Sequence, residues 1–541
     1  MPDTSAGTDD AETFARGLDI AAQRLEQLGR PASKLAILDR ICRDHDHWPY
    51  QKQRLATAID LRAFDTAEAI LDEMDRKAVV DPAEEAWLDA RRKQVSNRPI
   101  VVSRLLTELA VKNPPQYEPV TGRILYVLHN SLPYSSGGYA TRGHGLLQGM
   151  RQIGYDMVCV TRPGFPTDII EIEPEDVAPI DEVDGIQYHR ITSPSYKIAI
   201  GHGYILSAAE RMEEKLRELR PELVIAASNH VTGLPAQIAA KRQGIPFIYE
   251  VRGFWEITRA SREPRYLQTK AYAGQAKLET ICADAADHVF TLTGGMREEL
   301  IRRGVSGAKV TLLPNSCLPE QFLPQPRDRQ LAEALNIPED VPVIGYIGSF
   351  VQYEGLDDLA RAAAILKGRG VEFRLLLVGN ENVSRQEKGP ITAMIEAVAT
   401  EGGLADWLIM PGRVPHDQVA KYYSLIDIAP FPRKPQLVTE MVSPMKPLEA
   451  MAMQKAVAAS SVAALAEMIR DGETGLIFEK GNPGALADVL QRLIEDPELR
   501  EKLGRNGRTW VETERSWPQT AVLAQNEITR VLASRAKMPA A

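Results

Sequence analysis

The sequence predicts an α/β protein with two Rossmann-like, doubly wound parallel-sheet domains that face a cleft, preceded by an all-α domain. Residues 11–112 show one helical pattern after another and no alternating strands. From about residue 120, short apolar runs alternate with helical stretches. This alternation stops at the loop-rich segment 314–328 and then starts again. Strands that alternate with helices predict a parallel sheet covered by helices, and the restart predicts two such sheets.

The composition is that of a globular protein with large cores. The chain has 541 residues, of which 44% are hydrophobic and 25% charged, enough for about three or four domains. Its net charge of −9 argues against a nucleic-acid partner held by bulk electrostatics. The acidic start of the chain lacks the apolar core of a signal peptide, and no apolar run approaches the roughly 20 residues of a membrane span. We expect a cytoplasmic protein, at most peripheral to the inner face of a membrane.

The cysteines and histidines give no metal or disulfide signature. The four cysteines lie far apart and match no C-x-x-C spacing: Cys42, Cys159, Cys282 and Cys317. This pattern predicts no disulfide framework and favours a reducing compartment. The sequence "DHDH" at 44–47 falls in the helical region, away from the predicted cleft.

Residues 1–115 are predicted to form the all-α domain. The apolar pairs Ile37-Leu38, Ile70-Leu71 and Leu105-Leu106 recur at offsets of 33 and 35 residues. This period resembles tetratricopeptide-type helical hairpins, which contact another protein or self-associate. A helical cap that only buries a face of the next domain explains the pattern equally well.

The first sheet domain is assigned to residues 116–322, because "VKNPPQYEPVTG" (111–122) is a Pro-rich break. Short apolar runs bounded by polar residues are typical of buried parallel strands. Six such runs occur at 123–130, 156–162, 222–228, 246–253, 288–293 and 309–315.

The second sheet domain is assigned to residues 323–515. Its predicted strands lie at 342–350, 372–380, 407–412, 426–432, 456–460 and 474–479. The closing segment 516–541 contains a helix with apolar residues at helical spacing, which is expected to dock elsewhere on the protein.

Ligands of open α/β sheets bind beyond the carboxyl ends of the strands, so function should lie on the loops that follow strands. The first such loop, "NSLPYSSGGYATRGH" (130–144), places Gly137 and Gly138 directly before a helix. Backbone N–H groups there, aided by the helix dipole, are open to an anion. A tight turn that needs glycine accounts for the pair equally well.

The second loop, "YEVRGFWE" (249–256), ends a strand with Glu250 and Arg252. Arg252 stands at the predicted mouth of the cleft, where its planar fork could clamp phosphate oxygens. A buried Glu250–Arg252 ion pair that only orders the loop is the alternative, and both roles are compatible.

The third loop is "SPMKPLEAMAMQKAVAAS" (443–460), in which Pro447 suits the first turn of a helix. The helix dipole disfavours a cation at that position, so Lys446 makes most sense if a phosphate shares the space. Glu449, one turn on, is an acceptor suited to a ribose diol. The alternative is an ordinary helix start with one solvated lysine.

With these loops in place, residues 120–540 resemble a family 4 retaining glycosyltransferase of GT-B fold. Eight segments follow the order of that family: "SGGYATRGHGLLQGMRQIGYDMVCVT", "GIPFIYEVRGFWE", "KVTLLPNS", "VIGYIGSFVQYEGLDDLARA", "GRVPHDQVAKYYSLIDIAPFP", "SPMKPLEAMAMQKAVAAS", "EMIRDGETGLIFEKGNP" and "ERSW" with its helix. The resemblance implies that Gly137 and Gly138 lie near the donor diphosphate and that Glu449 binds the nucleotide ribose. It also implies that backbone amides around Met445 and Lys446 face the phosphate, and that the last helix crosses back onto the first sheet domain.

The chain departs from the family pattern at three places. Relatives carry an E-x7-E pair, but Met441 stands eight positions before Glu449, with Glu440 one residue away. Relatives place an arginine and a lysine after the first strand of the second domain, where "GSFVQYEG" has Ser349 and Glu354. Arg252 replaces a histidine that is usual in relatives.

We expect relocated cations to take over the stabilisation of the leaving diphosphate, in place of a metal or cofactor. The predicted catalytic residues are Arg252, Lys446 and Glu440. The predicted donor-binding residues are Gly137, Gly138, Gly348, Ser349, Arg413, Arg433, Met445 and Glu449.

The resemblance implies transfer of a sugar, with retention and without a metal, from a nucleotide-diphosphate sugar to a hydroxyl acceptor. It places the enzyme in cell-surface or exopolysaccharide synthesis, with a saccharide or lipid-linked acceptor. A sugar-nucleotide epimerase and a silent scaffold that recruits partners through its helical domain are the alternatives. The basic run 259–277 could bind an anionic acceptor or a membrane surface, although a solvated helix face explains it nearly as well.

Overall fold

The structure is a computed structural model that describes residues 6–44, 47–61, 63–75, 81–96, 102–196, 201–381, 389–415 and 418–536. The sequence "DHDH" at 44–47 therefore lies partly outside the described residues. The chain divides into two compact units, one formed by residues 1–106 with 193–208 and the other by residues 107–192 with 209–541.

The first unit is helical, as the sequence predicts. Its helices are α1 (Ala6–Gln27), α2 (Pro31–Asp44), α3 (Trp48–Asp60), α4 (Phe64–Asp75), α5 (Pro82–Ser96) and the start of α6 (Val102–Leu109). Each helix from α1 to α4 packs on the next. Of the recurring apolar pairs, Leu38, Ile70 and Leu71 are buried in the cores between these helices, which explains why the pairs recur.

The second unit contains two sheets. The strands of the first sheet are β1 (Arg123–Leu128), β2 (Asp156–Thr161), β3 (Ile180–Val183), β4 (Ile186–His189), β5 (Leu223–Ala227), β6 (Phe247–Val251), β7 (His288–Thr291) and β8 (Val310–Leu312). Their order is β3-β4-β2-β1-β5-β6-β7-β8, and every pairing except β3 with β4 is parallel. The central strands are buried along nearly their whole length because helices cover both faces.

The strands of the second sheet are β9 (Val343–Ile347), β10 (Arg374–Val378), β11 (Leu408–Gly412), β12 (Ile428–Phe431), β13 (Ala456–Ser460) and β14 (Leu476–Phe478). They run in the order β11-β10-β9-β12-β13-β14 and are all parallel. The predicted fold class, two parallel-sheet domains after a helical region, is confirmed. We call the first sheet with its helices the N-lobe and the second the C-lobe.

The remaining helices of the second unit cover the two sheets. In the N-lobe they are α7 (Gly138–Gln152), α8 (His202–Leu219), α9 (His230–Gln243), α10 (Trp255–Arg262), α11 (Lys270–Ala285) and α12 (Gly294–Arg302). In the C-lobe they are α13 (Arg329–Ala334), α14 (Leu356–Gly368), α15 (Pro390–Glu401), α16 (Val419–Leu425), α17 (Leu437–Met441), α18 (Lys446–Ala452), α19 (Ala463–Ala466), α20 (Pro483–Glu495) and α21 (Pro497–Glu514). The last helix, α22 (Trp517–Ala536), packs on the N-lobe.

The sequence analysis missed the antiparallel hairpin of β3 and β4 at the edge of the first sheet. Both residues of its two-residue turn, Asp184 and Gly185, have positive φ angles of 50° and 74°. An Asp-Gly turn of this kind is the strongest local signal for a hairpin. The strands were missed because Ile180–Val183 is half exposed and carries two acidic residues, so it has no apolar run.

The last helix, α22, docks on the N-lobe. Trp517, Ala521 and Ile528 join the core formed by β1 and α7. The chain crosses between the lobes twice, near Cys317 and near Ser516, and the two crossings run side by side. The amide of Cys317 donates to the carbonyl of Arg515 (3.0 Å), and the amide of Trp517 donates to the carbonyl of Cys317 (3.3 Å). All four cysteines are buried thiols. None of the described helices has the length and apolar character needed to cross a bilayer.

Two glycines of α7 allow α22 to approach closely. A Cβ on Gly145 would lie 2.2 Å from Nε1 of Trp517, and a Cβ on Gly149 would lie 2.5 Å from the Trp517 carbonyl oxygen. The Gly149 contact is with backbone, which cannot rotate away.

We therefore predict that Gly149→Ala destabilises the protein by about 1–3 kcal/mol through overpacking, seen as a lower melting temperature. The matched control is Gly274→Ala on α11, where a Cβ meets no atom within 4 Å. Because alanine favours helix over glycine, the control should keep or slightly raise the melting temperature. Equal melting temperatures for the two variants would contradict the close docking of α22.

Candidate functional site

A cavity of about 550 Å³ lies between the N-lobe and the C-lobe. Most of its wall comes from four segments: residues 136–142 after β1, Arg252 after β6, residues 347–354 after β9, and residues 442–449 around the start of α18. Arg433 and Asn315 also line it. The loops after β1 and β9 lie where the strand order of each sheet reverses direction. Ligands of open α/β sheets bind at such points.

Nine of the eleven predicted site residues line this cavity: Gly137, Gly138, Arg252, Gly348, Ser349, Arg433, Met445, Lys446 and Glu449. Met445 also reaches across the cleft, where its methyl carbon would lie 3.6 Å from a Cβ on Gly138. The structure thus brings together residues that are more than 300 positions apart in the chain.

The other two predicted residues, Glu440 and Arg413, are not part of the cavity wall. One carboxylate oxygen of Glu440 pairs with Nζ of Lys480 at 2.7 Å, and the other accepts a hydrogen bond from the amide of Ala463 at 2.8 Å. Glu440 therefore holds the start of α19. Arg413 is exposed and follows β11.

On the N-lobe side, a buried carboxylate holds two arginines. Nη2 of Arg142 lies 2.6 Å from Oε1 of Glu250, and Nε of Arg252 lies 2.8 Å from Oε2. Tyr126 donates its hydroxyl to Oε2 of Glu250 and accepts from Nη2 of Arg252. Nη1 of Arg252 also donates to the carbonyl of Tyr139 at 2.9 Å. The guanidinium of Arg252 is thereby fixed at the cavity wall.

This N-lobe cluster is ionised. Burial alone would raise the pKa of Glu250, but the charges of Arg252 and Arg142 outweigh burial and lower it to about 2. Burial likewise acts against the charge of Arg252, yet Glu250 raises its pKa above the ordinary value. The pair predicted from "YEVRG" thus orders the loop and presents a cation to the cavity at once.

On the C-lobe side, a second buried carboxylate holds two more cations. Oε1 of Glu354 lies 3.8 Å from Nζ of Lys446 and 3.4 Å from Nε of Arg433. The hydroxyl of Tyr346 donates to Oε2 of Glu354 at 3.2 Å. Burial raises the pKa of Glu354, but Lys446 and Arg433 together lower it below the ordinary value, so this carboxylate is also ionised.

Gly348 makes room for Lys446. A Cβ at this position would lie 2.2 Å from Cε of Lys446, and the φ angle of 151° is one that side-chain-bearing residues rarely adopt. The stem of the lysine therefore lies against the first turn after β9. The resemblance implies cations in this loop, where the chain has Ser349 and Glu354, and Lys446 from a neighbouring loop of the same lobe places a cation there.

Each cluster contains two cations and one carboxylate and carries one net positive charge. Together they bring two net positive charges to the cavity. Glu449 is the remaining acidic side chain on the cavity wall. In the part of the chain that the structure describes, no group of three or more His, Cys, Asp or Glu side chains is placed to hold a metal ion.

The sequence analysis missed Arg142 and Asn315. Nη1 of Arg142 donates to Oδ1 of Asn315 at 2.9 Å, and Nδ2 of Asn315 donates to the carbonyl of Ser443 at 2.7 Å. This bridge links the N-lobe cluster to the loop that carries Lys446. One signal for Arg142 was available, since it stands one helical turn after Gly138 and so shares its face of α7.

Two family models match the two sheet domains in order. A "Glycosyl transferase 4-like domain" covers residues 137–316, and "Glycosyl transferases group 1" covers residues 328–510. The chain is 24% identical over 299 residues to an alpha-D-kanosaminyltransferase of Streptomyces kanamyceticus, a match that covers 54% of this chain and 73% of that protein. It is 29% identical over 216 residues to a lipopolysaccharide 1,2-N-acetylglucosaminetransferase of Salmonella typhimurium, covering 40% of this chain and 55% of that protein.

A solved structure shares the fold. HepE of Anabaena, in complex with UDP, matches with a TM-score of 0.56 and 15% identity over 76% of this chain and 100% of that protein. The two family models and the two facing parallel sheets lead to one conclusion: the chain belongs to the family 4 glycosyltransferases with the GT-B fold.

Proposed function

We propose that this chain is a retaining, metal-independent glycosyltransferase that moves a sugar from a nucleotide-diphosphate sugar to a hydroxyl acceptor in glycoconjugate synthesis. One observation carries the proposal: two buried carboxylates present four cations to a single cavity between the lobes. With Glu449 also on the wall, the cavity keeps one net positive charge, which suits an anionic ligand such as a diphosphate diester. The names of the relatives, which include a lipopolysaccharide transferase, support the setting in glycoconjugate synthesis.

The positive charges have most effect on the leaving group. When the bond between the anomeric carbon and the phosphate oxygen breaks, the diphosphate gains one negative charge. Arg252 and Lys446, on opposite walls, would stabilise that charge without moving, because Glu250 and Glu354 already hold them in place. Protein cations would thus perform the charge neutralisation that a metal ion performs in other enzymes.

The configuration at the anomeric carbon is retained if the acceptor attacks that carbon from the same face from which the diphosphate leaves. The acceptor hydroxyl oxygen forms the new bond to the anomeric carbon, and its proton passes to the departing phosphate oxygen. No side-chain base is needed in this scheme. It agrees with the position of Glu440, whose carboxylate is engaged by Lys480 and by the amide of Ala463.

Other wall residues would position the nucleotide. Glu449, one turn into α18, is placed to accept hydrogen bonds from the ribose hydroxyls. The helical hydrogen bonds of α18 begin with the amides of Leu448 and Glu449, which donate to the carbonyl of Met445. The amides of Met445 and Lys446 precede that first turn, on the side of the phosphate.

A silent scaffold is the main alternative, since Glu354 occupies a position where relatives place a cation. The geometry argues against it, because four cations around the cavity outnumber the three carboxylates Glu250, Glu354 and Glu449. A sugar-nucleotide epimerase would use the same donor site, and it is separated by its products. An epimerase yields a free sugar or an isomerised donor, whereas a transferase gives a product that contains the acceptor.

We also propose that the stretch 259–277 contacts an anionic membrane surface on which a lipid-linked acceptor resides. Arg262, Arg265, Lys270 and Lys277 are exposed there, and Leu267 is 47% exposed among them. Arg259 is paired with Glu263, the acidic residue of the stretch. A basic surface with an exposed apolar residue is suited to anionic lipid.

Lys446→Ala is predicted to lower turnover at least tenfold, because it removes one charge-assisted contact to the leaving diphosphate. The donor is first chosen by the thermal shift produced by UDP, GDP or ADP, and transfer is then followed by mass spectrometry. The control is Lys480→Ala, which removes a lysine that pairs with Glu440 outside the cavity wall. Near-normal turnover in Lys446→Ala would remove this lysine from the mechanism.

Glu250→Gln is predicted to lower the melting temperature at pH 7, because it leaves two buried guanidinium groups without their carboxylate, at a cost of about 3–5 kcal/mol. The pKa of Glu250 is about 2 in the folded protein against 4.5 ordinarily, so its stabilisation is complete above pH 4.5 and is lost as pH falls towards 2. The melting temperature of Glu250→Gln should therefore fall less than that of wild type between pH 4.5 and 2. Glu495→Gln, on the exposed face of α20, is the control. A Glu250→Gln profile that runs parallel to wild type would refute an ionised Glu250.

The triple variant Arg265→Glu, Lys270→Glu and Lys277→Glu is predicted to abolish co-sedimentation with phosphatidylglycerol vesicles. Each reversed charge replaces attraction by repulsion at the lipid surface. Reversal of Lys502 and Arg505 on α21 serves as the control, since these exposed cations lie in the C-lobe. Equal binding of both variants, or equal binding of wild type to phosphatidylcholine vesicles, would exclude the proposed surface.

A further inference from the structure

We infer that His129 and Trp255 form a subsite for an uncharged pyranose ring of the acceptor. This inference rests on the proposed function and names the acceptor chemistry of the same cleft. His129 directly follows β1, and Trp255 is the first residue of α10, after β6. Both therefore lie at the carboxyl edge of the N-lobe sheet, where ligands of such sheets bind.

The proton of His129 is fixed on one nitrogen. Nε of Arg162 donates to Nδ1 of His129 at 3.2 Å, and Oγ1 of Thr232 lies 3.1 Å from the same nitrogen. A guanidinium group can only donate, so Nδ1 must be an acceptor and the proton must sit on Nε2. Burial, together with the charge of Arg162, lowers the pKa of His129 well below its ordinary value, which keeps the ring neutral.

The Nε2–H group of His129 is a donor without a partner among the residues that the structure describes. The histidine itself is only 8% exposed. The Nε2 atom itself keeps some solvent exposure, so its hydrogen bond goes to water or to a ligand. A sugar hydroxyl is such an acceptor.

Trp255 supplies the apolar surface that a sugar ring needs. Its indole is 38% exposed, although the preceding Phe254 is buried. The centroids of the His129 and Trp255 rings lie 4.7 Å apart at 71°, which is a T-shaped contact. A flat aromatic face next to a single fixed polar donor is the usual make-up of a small-molecule subsite, and C–H groups of a pyranose pack on such a face.

The subsite adjoins the donor cavity through Tyr139. The amide of His129 donates to the hydroxyl of Tyr139 at 3.0 Å. Tyr139 lines the donor cavity, and its ring lies 4.5 Å from the guanidinium carbon of Arg252. Tyr139 is thus the side chain between His129 and the cation that faces the leaving diphosphate.

The charge of the surroundings selects a neutral ligand. Arg162 is paired with Asp168 through two hydrogen bonds of 2.6 and 3.0 Å, and both side chains are buried. Their charges cancel and His129 is neutral, so the subsite offers no net charge to an anionic sugar. It favours hydroxyl groups.

The test is saturation-transfer NMR with methyl glucoside, galactoside, mannoside and N-acetylglucosaminide, each recorded with and without UDP, GDP or ADP. Wild type should bind at least one of these pyranosides. Trp255→Ala should weaken that binding at least tenfold, Trp255→Phe should retain most of it, and nucleotide binding should stay the same in both variants. His129→Gln, which keeps an N–H donor, should bind better than His129→Leu.

Unchanged pyranoside affinity in Trp255→Ala would overturn the subsite, as would nucleotide binding by wild type with no pyranoside signal. A wild type that binds pyranosides through Trp255 but binds no nucleotide would instead overturn the proposed function and leave the subsite standing.

Discussion

The arrangement of the cleft depends on two buried carboxylates, each of which holds a pair of cations. Four like charges cannot share one cavity without strong repulsion, and a buried cation without a partner is costly. Glu250 meets this constraint for Arg142 and Arg252, and Glu354 meets it for Lys446 and Arg433. Each cluster keeps an excess of one positive charge, and Glu449 on the C-lobe wall offsets one of the two. Because these groups are fixed before any ligand arrives, little reorganisation is needed when charge develops on a leaving group.

The same constraint accounts for the departures from the family pattern. Glu354 stands near a position where relatives carry a cation, yet here it serves as the anchor for Lys446, which enters from the neighbouring loop. Lys446 can reach Glu354 only because residue 348 is glycine, since a side chain at that position would occupy the space of the lysine stem. The charge has moved from one loop to another while the cavity has kept its sign. A lost family residue is therefore compatible with a working site when a neighbouring loop of the same lobe supplies the charge.

Most of the fold was accessible from the sequence because parallel strands covered on both faces are short apolar runs. The edge hairpin of β3 and β4 escaped for the opposite reason, since its half-exposed strand carries acidic residues. The site residues could be predicted where they directly follow a strand, as Arg252 does, or begin a helix next to a proline, as Lys446 does. Arg142 and Asn315 could not be paired from the sequence, because their hydrogen bond joins positions 173 residues apart. Glu440 is the opposite case. Its spacing from Glu449 made it a candidate, but in the structure its carboxylate is held at the start of α19 by Lys480 and the amide of Ala463.

The central proposal is that protein groups, without a metal ion, bind a diphosphate in this cavity. Isothermal titration calorimetry in EDTA, with matched nucleoside monophosphates and diphosphates of uridine, guanosine and adenosine, measures it directly. The account predicts that one diphosphate binds at least tenfold more tightly than its monophosphate in the absence of divalent cations. Equal affinities within every pair, or diphosphate binding that appears only after magnesium is added, would contradict it.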